Sequence, residues 1–274
     1  MKLCRFQPLL FSAAEVARTD EGPSLGRRPE PRAGVIGGQS VREISGDIFS
    51  RWRATDRAWP LEQVKLLPPV VPSKIICLGC NYHEHAAELD NPVPKEPLIF
   101  LKPPSAIIGP EEPIVLPSIS RRVDYEGELG VVIGRVCSQL APDEDVRPYI
   151  LGYTCLNDVT ARDLQKTDVQ FTRSKGFDTF CPLGPVIETE LELAAASVET
   201  YVNGERRQSA RAAEMIFPVD AIIRWVSRMM TLAPGDVIAT GTPAGVGPLR
   251  EGDVVEVVVG GVGTLRNPVI AQAC

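Results

Sequence analysis

The stretch Asp124-Tyr-Glu-Gly-Glu-Leu-Gly-Val-Val-Ile-Gly134 decides how this chain is read. Its residues alternate. Tyr125, Leu129, Val131 and Ile133 fall on one face of an extended strand, and Asp124, Glu126 and Glu128 fall on the other. Side chains two apart on a strand project from the same side, about 7 Å from each other, so Glu126 and Glu128 converge. Gly127 between them leaves the opposite face bare for close backbone packing. Two like charges held together are costly unless a cation or a proton lies between them. The plainer alternative is an acidic face turned to solvent.

The strand signal repeats outward from this stretch. Lys74–Leu78 and Leu98–Leu101 are short apolar runs, and Ile150–Leu156 continues the pattern. Asp236–Thr240 and Asp253–Val259 follow, the latter turning back through Gly260-Gly261 into Val262–Leu265. Tyr201-Val-Asn-Gly-Glu205 reads as a hairpin, because Asn203-Gly204 supplies the positive φ angles of a type I′ turn. One helix is clear, from Pro218 to Met230, with Ile222, Trp225, Val226 and Met229 at helical spacing as a core stripe. A shorter helix is predicted to begin at Thr160. Strands without regular helical crossovers predict an α+β, mainly β fold rather than a doubly wound one.

Composition bounds the rest. The 274 residues are 44% hydrophobic and 23% charged, which excludes disorder, collagen-like repeats and coiled coils. No apolar run approaches the ~20 residues of a membrane helix. A net charge of −6 argues against nucleic-acid binding, which demands a basic face. The first 70 residues carry 11 Lys/Arg against 8 Asp/Glu, and the remainder 18 against 27. This contrast, the turn-rich tract from Gly22 to Gly34 and the stiff connector Leu67-Pro-Pro-Val-Val-Pro72 divide the chain into a small strand-containing domain, 1–70, and a larger one, 71–274. The seven cysteines are odd in number and scattered, and the first residues form no signal-peptide core, so a reducing cytoplasmic setting is expected. Cys77-Leu-Gly-Cys80 lacks the second pair a zinc site needs and reads as two structural thiols.

Three further groups carry chemistry. Asp158 falls at the end of a strand and the start of a helix, where it is either a third convergent carboxylate or an N-cap. Three carboxylates without a nearby His favour a hard cation, Mg²⁺ or Mn²⁺, over zinc. If the helix spans these positions, Arg162 and Gln165 lie on the face of Asp158. Gly79-Cys-Asn-Tyr-His-Glu-His-Ala-Ala-Glu88 reads as a tight turn into a short helix that holds both histidines of the chain. His85 and Glu88 are i and i+3, close enough for the carboxylate to orient the imidazole as a base. His83 points another way round. Lys175 stands alone in a Gly/Pro-punctuated loop. Thr240-Gly-Thr-Pro-Ala-Gly-Val-Gly247 is a glycine-rich loop that is not a dinucleotide fingerprint but would suit a carboxylate.

Six ordered elements resemble the fumarylacetoacetate hydrolase family: Gly79-x-Asn-Tyr-x-x-His85-x-x-Glu88, Phe100-Leu-Lys-Pro-Pro-Ser105, Asp124-Tyr-Glu-Gly-Glu-Leu129, Asn157-Asp158-x-x-x-Arg162-Asp-x-Gln165, Ser174-Lys-x-Phe-Asp178 and Gly241-Thr-Pro-x-Gly-Val246. The resemblance covers about residues 72–270. It implies a mixed β-sandwich roll, usually a homodimer, acting on 2-oxo acids with further carbonyl or carboxyl groups. It assigns Mg²⁺ or Mn²⁺ to Glu126, Glu128 and Asp158, catalytic roles to His85, Glu88 and Lys175, and substrate contacts to Arg162, Gln165 and Thr242. The activity it implies first is metal-dependent hydrolysis of a C–C bond in acylpyruvates or other 2,4-diketo acids, with water activated by His85 and Glu88. The alternatives are isomerisation of 2-hydroxyhepta-2,4-diene-1,7-dioate or decarboxylation of an oxaloacetate-like acid. A non-catalytic 2-oxo-acid binding protein is the reading of another class. Specificity is expected from the segment between Glu88 and Phe100 and from the N-terminal region.

Overall fold

In the computed structural model, residues 1–9 and 29–273 are described. The part of the turn-rich tract from Gly22 to residue 28, and Cys274, lie outside them. Among the described residues the chain forms mostly strands: β1 (Lys2–Pro8), β2 (Arg32–Gly37), β3 (Ser40–Gly46), β4 (Trp52–Pro60), β5 (Val64–Leu67), β6 (Ile75–Gly79), β7 (Leu98–Lys102), β8 (Ile107–Ile108), β9 (Ile114–Leu116) and β10 (Val123–Tyr125). They continue with β11 (Gly127–Ile133), β12 (Ile150–Asn157), β13 (Thr160–Ala161), β14 (Cys181–Glu188), β15 (Ser197–Val202), β16 (Glu205–Arg211), β17 (Val237–Ala239), β18 (Gly247–Pro248), β19 (Val254–Val259) and β20 (Gly263–Ala271). The helices are short: α1 (His83–Glu88), α2 (Arg162–Thr167), α3 (Thr172–Lys175) and α4 (Val219–Ser227). The fold is mainly β, as expected.

The largest sheet runs β4-β3-β2-β1-β14-β12-β11-β17-β6-β7, with β5 added on β1 and β8 on β14. β1 pairs with both β2 and β14, so the N-terminal strands and those of the larger part share one sheet. A five-stranded sheet, β16-β15-β19-β20-β9, and a three-stranded one, β13-β10-β18, complete the architecture. Leu129, Val131 and Ile133 of β11 pack with Val257 and Val259 of β19, Val198 of β15 and Ile222 and Val226 of α4. Val132 points the other way, into a cluster with Ile75, Cys77, Leu156, Leu183 and Val237. β11 is therefore covered on both faces, the setting in which strands lose solvent-facing polar residues.

The sequence reading needs four local corrections. The stretch 124–134 is two strands, broken at Glu126, and Tyr125 packs with Val123, Val159 and Leu249 rather than with Leu129. The second helix begins at Arg162 instead of Thr160, because Thr160 and Ala161 pair with Asp124 and Val123 of β10. The Pro218 helix stops at Ser227, where the Val226 carbonyl accepts N–H groups from both Met229 and Met230 and the Ser227 carbonyl is claimed by the Gln139 N–H. Met229 is consequently exposed and outside the stripe. Lys175 lies at the end of α3 rather than in a loop. The hairpin at Asn203-Gly204 forms as expected, with φ of 52° and 80°.

Asp236 sets the register in which β17 runs parallel to β6. Its Oδ1 accepts from the Ser73 N–H at 3.1 Å, the Ser73 hydroxyl at 2.6 Å and the Lys74 N–H at 3.2 Å. Its Oδ2 accepts from the Ala233 N–H at 2.8 Å and from the Lys74 ammonium. Burial alone would raise this carboxyl, but the Ala233 amide, Lys74 and Ser73 outweigh it and hold it below the ordinary aspartate value. A depressed folded-state pKa contributes stability that is complete above the unfolded value of about 4 and is lost as pH falls through the folded one. Asp236→Asn is therefore expected to cost about 1.5–3 kcal/mol at pH 7. In urea unfolding the gap to wild type should shrink at pH 3. A gap independent of pH would show that the carboxylate charge is not what ties the two strands.

Candidate functional site

Four strand ends meet at one place. β11 begins at Gly127 opposite Asn157, the last residue of β12. β17 runs antiparallel to β11 and parallel to β6, so their chain exits, at Thr240 and Asn81, emerge beside it. Glu126 sits in the break between β10 and β11, where its N–H donates to Asn157 Oδ1 at 3.0 Å and its carbonyl accepts the Asp158 N–H at 2.8 Å. Gly127 makes the junction possible: a Cβ there would lie 2.0 Å from Thr200 Oγ1 on the facing sheet. The result brings Glu126, Glu128 and Asp158 together, one carboxylate oxygen of each within 4.8 Å of the others. They are 4%, 1% and 0% exposed, which overturns the solvent-facing alternative. Asp158 is not an N-cap either, since Ala161 occupies that position for α2.

Buried cations hold these carboxylates. The Lys175 ammonium donates to Glu126 Oε2 at 2.8 Å and Asp158 Oδ2 at 2.6 Å. Lys102, 1% exposed, donates to Asp158 Oδ1 at 2.6 Å and to the Val159 carbonyl at 3.1 Å. Arg162 donates through Nε to Asp124 Oδ2 at 2.9 Å, through Nη1 to Gln165 Oε1 at 2.6 Å, and through Nη2 to Glu126 Oε1. Arg162 and Gln165 thus join the site from a helix that excludes Asp158, not through the helical spacing expected.

Electrostatics separates the two glutamates. Burial would raise Glu126, but Lys175 and Arg162 outweigh it and hold its carboxyl far below the usual range. Burial, then the charges of Asp158 and Glu126, push Glu128 well above it. Glu128 Oε2 accepts the Gly241 N–H at 2.7 Å, while its buried Oε1 has no hydrogen-bond partner. An all-oxygen donor set with one buried carboxylate oxygen left over fits a hard divalent cation.

The histidines fall on α1. His85 is 4% exposed, with Nδ1 3.3 Å from Glu88 Oε2, and His83 is exposed. Glu88 in turn accepts the Gly245 N–H at 3.0 and 3.2 Å. The glycine-rich loop does bind carboxylates, those of Glu128 and Glu88. Cys77 is buried in β6, its thiol pushed well above the usual value by burial, and neither it nor Cys80 joins a metal-ligating cluster among the described residues. A cavity of about 930 Å³ opens on His85, Glu88, Glu126, Arg162 and Lys175. Gln165 and Thr242 line it too, as do Leu89, Asn91 and Pro94 of the segment expected to set specificity.

The fumarylacetoacetate (FAA) hydrolase C-terminal family matches residues 74–270. The chain belongs to this family. An Rv2993c-like N-terminal domain matches residues 25–69. Protein Rv2993c of Mycobacterium tuberculosis is 50% identical over 236 residues, 85% of this chain and 89% of that protein. Oxaloacetate tautomerase YisK of Bacillus subtilis is 42% identical over 226 residues, 77% of this chain and 75% of that one. The crystal structure of a 2-hydroxyhepta-2,4-diene-1,7-dioate isomerase from Mycobacterium marinum has a TM-score of 0.85 at 42% identity, covering 100% of both chains. That of a maleylpyruvate hydrolase from Sphingobium has a TM-score of 0.75 at 31% identity, covering 99% of this chain and 100% of that one.

Sequence reasoning placed no role on Lys102, although it is one of seven lysines in the chain and closes an apolar strand, which was the available signal. Gln208 gave no signal at all. Buried on β16, it accepts the Gly127 N–H at 3.0 Å and donates to Thr242 Oγ1 at 2.8 Å, tying the acidic segment to the glycine-rich loop. The close approach at Gly127 yields a direct test. Gly127→Ala is expected to cost about 1–3 kcal/mol by overpacking. Adding Thr200→Ala removes the clashing hydroxyl, so the double variant should be the more stable of the two in thermal unfolding. Equal stability would show that Thr200 does not set the demand for glycine.

Proposed function

We propose that this member of the fumarylacetoacetate hydrolase family acts on 2-oxo acids bearing a second carbonyl or carboxyl group, and that it shifts a proton at carbon 3 of such an acid. The observation that carries the reading is the buried His85, paired with the exposed Glu88, opening on the same cavity as Glu126, Arg162 and Lys175. Similarity at 42% identity to a tautomerase and to an isomerase supports proton transfer as the reaction. Glu126, Glu128 and Asp158 would hold Mg²⁺ or Mn²⁺, which when bound supplies Lewis-acid polarisation of a 2-oxo carbonyl.

The remaining work falls to side chains of this chain. Glu88 engages His85 Nδ1 and leaves Nε2 as the nitrogen that takes and returns the proton. Lys175, fixed by Glu126 and Asp158, places a positive charge beside the cavity, where it offsets negative charge that develops on a substrate oxygen. Arg162 braces Glu126 and orients Gln165 toward a role in substrate contact. Thr242, its hydroxyl donated to the Gly127 carbonyl, shapes the wall. The cavity takes its lining from residues 78–246, so the chemistry belongs to the part from residue 71 onward.

Hydrolysis of a C–C bond is the second reading. The same His85–Glu88 pair can activate a water, and a maleylpyruvate hydrolase shares the fold at 31% identity. A panel of oxaloacetate, hydroxy-dienoates and acylpyruvates with added Mn²⁺ separates the two. Deuterium uptake at carbon 3 without cleavage supports proton shift, and release of pyruvate from acylpyruvates supports hydrolysis. His85→Ala is expected to lower turnover by about 10²–10⁴-fold, the range of a general base. Unaltered turnover would remove His85 from the mechanism. Glu126→Gln should abolish Mn²⁺ binding in calorimetry, and full activity in EDTA would sink the role of the cation.

A further inference from the structure

The loop from Thr240 to Pro248 touches both halves of the site. At one end the Gly241 N–H donates to Glu128, and the Thr242 hydroxyl donates to the Gly127 carbonyl at 2.9 Å. At the other end the Gly245 N–H reaches Glu88, the partner of His85. Between them stands Tyr125, which is 3% exposed and directly precedes Glu126. Its hydroxyl donates to the Gly245 carbonyl at 2.9 Å, and its ring packs on Gly247, with which it pairs between β10 and β18. Gly245 has φ of 103°, and a Cβ there would lie 2.0 Å from the Arg207 carbonyl. Gly245 is thus held on both sides of its Cα: Tyr125 grips the carbonyl of the peptide that follows, the crowding against Arg207 confines the φ between the two planes, and the N–H of the peptide that precedes faces Glu88.

We infer that Tyr125 is a positioning residue for the His85–Glu88 pair: its hydroxyl fixes the carbonyl of Gly245 and so the conformation of that confined residue, whose N–H on the other side of Cα fixes the Glu88 carboxylate, which fixes the imidazole. The inference rests on the reading of His85 as the base. It adds that the segment carrying Glu126 also aligns the base, so the two halves of the site are set by one strand junction. A hydroxyl that served folding alone would leave the imidazole undisturbed when removed.

The test is Tyr125→Phe, which keeps the ring on Gly247 and deletes the hydroxyl. The expected result is a kcat lowered about tenfold, the order for a residue that orients a reacting group, with KM and Mn²⁺ affinity within about twofold of wild type. The chain has two histidines, so ¹⁵N imidazole NMR resolves both. The His85 signals should move in the direction that Glu88→Gln moves them, while those of His83 stay fixed. Unmoved His85 signals overturn the inference, whether or not kcat falls. Should Tyr125→Phe not fold, Glu88→Gln alone must shift the Gly245 amide resonance, and an unshifted amide overturns it equally. Retained turnover in His85→Ala would instead defeat the reading of the base, and the NMR measurement would still report on the Tyr125 link.

Discussion

Four carboxylates, of Asp124, Glu126, Glu128 and Asp158, and three cations, of Lys102, Arg162 and Lys175, lie together with no member more than 4% exposed. Charges removed from water are tolerated only when each finds partners at hydrogen-bond distance, and here six of the seven do so through direct ion pairs. Glu128 is the exception, held by one backbone amide and pushed toward its neutral form by burial and its neighbours. Much of the surrounding architecture follows from keeping this group in register. The break at Glu126, the lysine at the end of β7 and the short helices α2 and α3 each deliver one charge to it, and the glycine at 127 leaves room for the junction.

The glycine-rich loop gains its meaning from the same constraint. Its residue types suggested a cradle for an external anion. Instead its amides satisfy two carboxylates of the chain itself, Glu128 in the acidic group and Glu88 beside His85. Glycine is needed for space as well as for conformation: Gly241 and Gly245 have φ of 96° and 103°, and added Cβ atoms would strike Asn81 and the Arg207 carbonyl. Gln208 of β16 and Tyr125 of β10 both hydrogen-bond to the loop, so a segment without regular structure between β17 and β18 is tied by side chains from two other strands.

Such a site is chemically permissive. An acidic group fit for a divalent cation, a lysine beside it and an oriented imidazole suit any reaction that begins by drawing electrons toward a 2-oxo carbonyl. Relatives named as a tautomerase, an isomerase and a hydrolase share the fold with this chain at 31–42% identity. Leu89, Asn91 and Pro94 form part of the wall of the cavity onto which this group opens.

The sequence by itself determined the family and the mainly β class, and it named residues that the structure brings together, because these rest on residue types and local spacing: Glu126-Gly-Glu128, His85 with Glu88 three residues on, Asp158 after a strand. It was silent or mistaken about several contacts between distant segments. Lys102 reaches Asp158 across 56 residues and Gln208 reaches Gly127 across 81, and no local pattern encodes either. The helix predicted from Thr160 lost its first residues to pairing with β10, and the acidic face, for which solvent exposure is the plainer expectation, is covered because the sheets pack on both sides of β11. Side-chain chemistry is written locally, but burial and partner choice are properties of the packed sheets. Tertiary structure alone decided that these acids would be buried, and which cations would meet them.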